Sequence, residues 1–226
     1  ISALLRDPSH GRLYAFGDSG QTLFSRGGAH QLDLVPLTLE TNLRNTQEIA
    51  AGANRLTSTP APCIGPEGPD IHFCEVPEWA DVTTAGDAVA SSMLNHYRPT
   101  DIALLQTWHR HPVHVEWEKQ SRSFYNKQYW EGDDIFYSTV MKFKGLERHC
   151  VVLVVDGFAE ITRARELLYV GMTRAQDLLI VVSKRSMLSE HIDQDLMNIL
   201  EEGRFELDED IYGEPDAESL SESESE

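Results

Sequence analysis

Four polar strings of the sequence combine residue types that can bind phosphate or nucleotide, and the first follows a predicted strand. Gly17-Asp18-Ser19-Gly20-Gln21 comes directly after the apolar segment 12–16. Gly17 permits a tight turn, and Asp18 and Gln21 then project polar groups from the end of the strand. The Gln21 amide can donate to a phosphate or a water and accept from another group. By itself this string fits an ordinary turn equally well.

The second string, Asn42-Leu43-Arg44-Asn45-Thr46, lies between a short predicted strand and a helix that runs to about Leu56. The planar guanidinium of Arg44 can meet a phosphate, and the helix amides add further donors. Asn45 or Thr46 can cap the helix. The alternative is a capping residue beside a surface arginine.

The third string covers residues 139–147, between two predicted strands. Lys144 and Gly145 put a cation beside a flexible backbone, and Glu147 can accept from a ribose hydroxyl or hold a neighbouring cation. Thr139 and Lys142 can contact a nucleic-acid backbone. A simple crossover turn explains the glycine but not the whole string.

The fourth string, residues 165–175, has helical spacing and ends in Thr173-Arg174-Ala175. An arginine directed at a γ-phosphate from a second domain is an arginine finger, and it can be worth about 10³ or more in rate. The alternative for Arg174 is a pair with a surface carboxylate.

Taken in order, the four strings resemble motifs III, IV, V and VI of UvrD/Rep-type superfamily 1 DNA helicases over roughly residues 1–185. The sequence most resembles the bacterial members that carry an N-terminal nuclease-related (NERD) domain. The resemblance implies the second of two RecA-like motor domains, with ATP held between them and single-stranded DNA as the track. The ATP-binding residues that it implies are Gly17, Asp18, Gln21, Arg44, Gly145, Glu147, Tyr169 and Arg174. It makes Gln21, Arg44 and Arg174 catalytic, and it assigns DNA contacts to Thr139, Lys142 and Thr173.

Three features depart from that family's pattern. Met141 stands where the family usually has histidine, and only about 90 residues separate the second and third strings, too few for a large inserted domain. No GxxxxGK[ST] phosphate loop is present, and the Asp208-Glu209 pair follows no apolar strand. ATP and Mg²⁺ would therefore need a missing N-terminal motor domain, and we expect this chain alone to be inactive.

The elements that must position these strings alternate between strands and helices. The predicted strands are 12–16, 36–39, 71–76, 102–106, 135–140, 150–156 and 178–183, and the predicted helices are 45–56, 80–97, 161–175 and 187–201. Unbroken apolar strands between helices predict an α/β fold with a parallel sheet covered on both faces. In such sheets the working residues are expected on loops at the carboxyl ends of the strands. The polar, aromatic segment 109–131 is predicted to be irregular.

The charge is unevenly distributed and defines a predicted boundary. Residues 201–226 contain twelve acidic residues and one basic residue, so they carry −11 of the net charge of −18 and leave −7 on the rest. We expect a motor domain over residues 1–190 and a closing helix with a disordered acidic tail over residues 191–226. The acidity weakens the case for nucleic-acid binding without removing it, because phosphate contacts need only a local positive groove.

The remaining features exclude some classes. Three scattered cysteines without CxxC spacing argue against disulfides and zinc and favour a cytoplasmic protein. No apolar run approaches the roughly 20 residues that cross a bilayer. The histidines of segment 109–131 lack a common metal spacing, and no metal site is predicted. Its interleaved aromatic and basic residues suit either base stacking on single strands or a loop pinned to the sheet.

Two other functions remain open at this point. One is a non-catalytic module that uses a helicase-like fold to bind DNA or protein. The other is a motor that remodels protein–nucleic-acid complexes instead of unwinding duplex.

Overall fold

A parallel sheet forms the centre of the computed structural model, which describes residues 41–212. Its strands are β1 (His72–Glu75), β2 (Ile102–Gln106), β3 (Phe136–Thr139), β4 (Arg148–Val155) and β5 (Ala175–Ser183). The strand order is β1-β5-β4-β2-β3, and every pairing is parallel. The predicted strands 12–16 and 36–39, the Gly17–Gln21 string and the acidic segment from residue 213 onward lie outside the described residues.

Helices cover both faces of this sheet. They are α1 (Gln47–Asn54), α2 (Val82–Ser92), α3 (Pro112–Gln120), α4 (Arg122–Glu131), α5 (Val140–Phe143), α6 (Ala164–Met172), α7 (Arg185–Ser189) and α8 (Gln194–Glu202). None of the helices between residues 41 and 212 has both the length and the apolar character needed to cross a membrane.

The two faces of β4 show how the core is divided. Val151, Leu153 and Val155 point into one apolar cluster, which also contains residues of α1, α5, α6 and α8. Val152 and Val154 point into a second cluster, built on α2. A strand that is apolar at every position can bury both of its faces in this way. The predicted fold class, an α/β fold with a parallel sheet covered on both faces, is confirmed.

Two of the predicted elements are wrong. Segment 109–131 is not irregular, because it forms the two helices α3 and α4. Pro112 begins α3, and the Ser121 hydroxyl accepts from the Phe124 N–H to start α4. Residues 187–201 are not one helix, because the chain breaks after α7 and restarts at α8, where the Asp193 carboxylate accepts from the Leu196 N–H. In both segments a side-chain cap sets where a helix begins.

Candidate functional site

Several of the predicted site residues lie where β4 and β5 begin, and we call this region the amino edge. Glu147 comes directly before β4 and Arg174 directly before β5, while Gln176 is the second residue of β5. The two strands are neighbours, with Arg148 opposite Ala175. The expectation that the working residues lie at the carboxyl ends of the strands is therefore wrong for Glu147 and Arg174.

An ion pair joins the second and third strings at the amino edge. The Arg44 Nε lies 2.6 Å from the Glu147 Oε2, and the two side chains are 43% and 42% exposed. The other carboxylate oxygen, Oε1, accepts from the Gln176 Nε2 at 2.9 Å. Because the Arg44 side chain is still partly exposed in this ion pair, a ligand can reach it.

The turn that carries Arg44 is fixed by two asparagines. The Asn42 Oδ1 accepts from the Arg44 N–H at 2.9 Å, and the Asn42 Nδ2 donates to the Asn45 Oδ1 at 2.8 Å. The buried Asn45 Nδ2 donates in turn to the backbone carbonyl of Thr173 at 3.3 Å. Asn45 therefore cross-links the Arg44 turn to the chain beside Arg174. Thr46 occupies the N-cap position of α1, but its side chain makes no capping hydrogen bond.

A turn at a glycine places Glu147 at the same edge. Gly145 has a φ of +93°, a backbone conformation that favours glycine, and a Cβ at this position would meet nothing within 4 Å. The Leu146 N–H donates to the Phe143 carbonyl at 2.9 Å and closes the turn between α5 and β4. A residue with a side chain at position 145 would be strained by its φ, although space is available for it.

Arg174 is buried, with 2% of its surface exposed. Its Nε donates to the Val170 carbonyl at 2.9 Å, its Nη1 to the Leu146 carbonyl at 3.4 Å and its Nη2 to the Thr173 Oγ1 at 3.0 Å. The guanidinium thereby ties the last turn of α6 to the residue before Glu147. In this conformation these hydrogen bonds stabilise the amino edge from within the domain.

Two further predicted residues of the fourth string point inward as well. The Thr173 hydroxyl is buried and donates to the Val170 carbonyl at 3.1 Å. Tyr169 is half-buried on α6, where it packs against the core cluster of α1, α5, α6 and α8. The hydroxyl of Thr173 is engaged within the domain in this conformation.

The residues predicted to contact DNA do not share one surface. Thr139 ends β3 and lies opposite Gln106, which lies opposite Val154. It is therefore level with the far end of β4, roughly 20 Å along the strand direction from the amino edge. Lys142 is exposed on α5, with its Nζ 6.0 Å from the centre of the Tyr125 ring. Thr173 lies at the amino edge.

A second polar network lies where β2 and β4 end, and we call this region the carboxyl edge. The nearly buried Asp156 carboxylate accepts from the backbone N–H groups of Trp108 and His109, each at 2.9 Å, and from the Thr107 hydroxyl at 3.0 Å. Gly157 has a φ of +124°, and a Cβ there would meet the Trp108 ring at 2.5 Å. These contacts hold Trp108 in place with about half of its surface exposed.

The aromatic residues of α3 and α4 mostly pack against one another. The rings of Tyr125 and Tyr129 are stacked at 5.7 Å, and both contact the fully buried His114. The His114 Nε2 donates to the carbonyl of Tyr137 on the edge strand β3, and burial lowers the pKa of His114 to about 4. Most of these rings thus attach the helices to the sheet, while Trp130 is 67% exposed.

Sequence reasoning missed Gln176 and Asn45 as members of the site. Both are uncharged amides with partners far along the chain, and Asn45, although it lies in the second string, was predicted only as a helix cap. For Gln176 the available signal was its position two residues after Arg174 and two residues before the predicted strand 178–183. Asp156 had a similar signal, because it ends the predicted strand 150–156.

Comparison with known proteins finds a family that resembles part of this chain. Residues 134–182 match the family of UvrD-like helicase C-terminal domains. The matched segment contains Thr139, Lys142, Glu147 and Arg174, and it is under a quarter of the 226 residues. This part of the chain is therefore similar to the C-terminal domain of a helicase motor.

The chain also resembles solved structures. One of them is the C-terminal domain of a possible DNA helicase from Lactobacillus plantarum WCFS1, with 14% identity and a TM-score of 0.46, covering 69% of this chain and 96% of that chain. Among curated proteins, none matches this chain.

Proposed function

We propose that this chain is the second motor domain of an ATP-dependent DNA helicase or translocase of the UvrD/Rep type, of the kind that carries a nuclease-related domain. The observation that supports this most is the meeting of Arg44, Glu147 and Gln176 at the amino edge. Three separated segments converge there on one half-exposed, charged surface. Such a surface can receive a nucleotide that another domain holds from the other side.

In this proposal ATP and Mg²⁺ lie between the amino edge and a first motor domain, which supplies the phosphate loop and the Mg²⁺ ligands. Arg44 contacts the γ-phosphate through its Nη groups, and Glu147 accepts from a ribose hydroxyl. Gln21 senses the γ-phosphate from the string that it shares with Gly17 and Asp18. This chain by itself would not hydrolyse ATP.

The burial of Arg174 modifies its expected part in the reaction. A guanidinium enclosed by the Val170 and Leu146 carbonyls and the Thr173 hydroxyl is not presented to a phosphate in this conformation. To act as an arginine finger, Arg174 would have to leave these three acceptors when the two motor domains close on ATP. Arg44 can contact a phosphate without such a rearrangement.

Single-stranded DNA would pass the end of β3 at Thr139 and the exposed Lys142 of α5. Lys142 is exposed, and its cation can neutralise a backbone phosphate. The half-exposed Trp108 of the carboxyl edge lies near Thr139, because Gln106, the partner of Thr139 in the sheet, is two residues before it. The DNA track would thus lie away from the nucleotide.

The test uses the complete polypeptide that contains this chain and its phosphate-loop domain, assayed for ATP hydrolysis with and without single-stranded DNA. Arg44→Met should lower the DNA-stimulated kcat by about 100-fold or more, because it removes a cation from the γ-phosphate. Arg55→Met is the matched control. Arg55 lies at the other end of α1 and forms a similarly exposed ion pair with Asp195 at 2.8 Å, so it should keep full activity.

Two outcomes would contradict the proposal. A complete polypeptide that binds DNA but shows no DNA-stimulated hydrolysis would favour the non-catalytic binding module. Equal activity of Arg44→Met and Arg55→Met would exclude the amino edge as the nucleotide surface. Strand-displacement assays then distinguish unwinding of duplex from the remodelling of protein–nucleic-acid complexes.

A further inference from the structure

We infer that Gln176 is a positioning residue of the nucleotide site: its side-chain amide fixes the Glu147 carboxylate and, through it, the orientation of the Arg44 guanidinium. The inference rests on the proposed function. Gln176 belongs to none of the residues that the helicase resemblance assigns to ATP or DNA. It acts here through Glu147, which it contacts directly, and through Arg44, which Glu147 binds.

The Glu147 carboxylate is held on both of its oxygens. Oε1 accepts from the Gln176 Nε2 at 2.9 Å, and Oε2 lies 2.6 Å from the Arg44 Nε. The last torsion of a glutamate side chain is broad, so a carboxylate bound at one oxygen alone can rotate. The second bond, from Gln176, fixes the plane of the carboxylate and hence the direction from which the Arg44 Nε is bound.

Gln176 also holds the segment that carries Arg44. Its backbone carbonyl accepts from the Thr46 N–H at 3.1 Å, two residues after Arg44. One residue of β5 therefore binds both partners of the ion pair, one through its side chain and the other through the neighbouring backbone. β5 pairs with β4 from Ala175 onward, so the segment that carries Gln176 is part of the sheet.

The ion pair needs this support because more than two fifths of each side chain is exposed. Exposed ion pairs contribute little on their own, since water screens the charges and two long side chains must be ordered. A hydrogen bond from a neutral amide to the carboxylate adds an ordered third member. The Nη groups of Arg44 are thereby held in one direction before a phosphate arrives, and this preorganisation is what a transition-state contact requires.

Three substitutions at position 176 separate the amide's donor function from its size. Gln176→Met keeps the length and removes the donor, Gln176→Glu keeps the shape and opposes Glu147 with a second carboxylate, and Gln176→Lys restores a donor. In the complete polypeptide we expect Gln176→Met to lower the DNA-stimulated kcat about tenfold, the worth of one hydrogen bond to a charged group. Gln176→Glu should lower it further, and Gln176→Lys should regain most of it.

A double substitution tests whether Gln176 acts through Arg44. In an Arg44→Met background, Gln176→Met should cause no further loss of kcat, because the guanidinium that it orients is gone. Additive losses would overturn the inference. Gln194→Met is the matched control, since Gln194 donates to Asn198 on α8 and should leave kcat unchanged.

A measurement that does not require activity keeps the inference separate from the proposed function. ¹⁵N relaxation of the Arg44 Nε–H in this chain should give an order parameter that falls from about 0.8 to below about 0.6 in Gln176→Met. It should stay unchanged in Gln194→Met. Equal order of Arg44 in both variants would refute the inference whether or not the chain is part of a motor. Loss of activity in Arg44→Met with full activity in Gln176→Met would refute it while leaving the proposed function intact.

Discussion

His114 should make this domain sensitive to mild acid. The imidazole is fully buried beneath the rings of α3 and α4, and its Nε2 donates to the Tyr137 carbonyl at 2.9 Å. Within the described residues its Nδ1 is buried without a hydrogen-bond partner. Protonation there would give a buried cation whose new N–H has no acceptor. Burial accordingly lowers the pKa of His114 to about 4, and the cations of Arg110 and Lys142 act in the same direction.

The size and sign of the effect follow from this pKa. In the unfolded chain the pKa of His114 returns to its ordinary value of 6.5, so the unfolded chain takes up the proton first as the pH falls. The contribution of His114 to stability is complete above about pH 6.5, decreases between pH 6.5 and 4, and stops decreasing below about pH 4. At 1.36 kcal/mol for each unit of pKa difference, the loss approaches about 3 kcal/mol.

Urea denaturation at several pH values between 7 and 4 measures this loss. His114→Phe keeps an aromatic ring but cannot titrate, and at pH 7 it should cost about 1 kcal/mol because the Tyr137 carbonyl loses its donor. The difference in free energy of unfolding between the wild type and His114→Phe should then shift by about 3 kcal/mol in favour of the variant by pH 4. His96→Gln, at an exposed histidine, controls for the removal of a titrating ring. Parallel curves for the wild type and His114→Phe would refute the reasoning.

Three further substitutions test the packing around the two edges. Asp156→Asn should lower the free energy of unfolding by about 2 kcal/mol, because an amide cannot accept from every donor that the carboxylate binds, and unchanged urea denaturation would contradict this. Gly86→Ala should cost about 1–3 kcal/mol, since its methyl carbon would lie 2.4 Å from the Val154 Cγ2; a thermal midpoint equal to that of the wild type would show that α2 can shift. Arg174→Met should lower the thermal midpoint as well as activity, and a variant that loses turnover at unchanged stability would show that the bracing contacts of Arg174 are dispensable.

The central strands β2 and β4 were predictable because burial on both faces leaves an apolar run. β2 has the same bounds as its prediction, and β4 begins two residues before the predicted start and ends one residue before the predicted end. The helices α3 and α4 were not predictable from periodicity. Their buried contacts come from histidine and tyrosine rings instead of evenly spaced aliphatic side chains, so no apolar stripe marks them.

The site could be predicted as separate residues but not as an arrangement. The types of Arg44 and Glu147, and the strings around them, indicated a phosphate or ribose ligand at each position. Their mutual contact depends on how the chain folds back on itself. Asn45 reaches a carbonyl 128 positions away, and Gln176 reaches a carboxylate 29 positions away. A single sequence contains no local signal for such pairs.

In the proposed motor, strand β4 would transmit force between the two edges of the sheet. Glu147 directly precedes β4 and Asp156 directly follows it, so one strand joins the amino edge to the carboxyl edge. From Cys150 to Val155 that strand is completely buried between β2 and β5. A packed strand of this kind cannot stretch or bend cheaply. If ATP binds at the amino edge and DNA near the carboxyl edge, the domain would move as one body between them, and the adjustable contacts would be those it makes with the first motor domain.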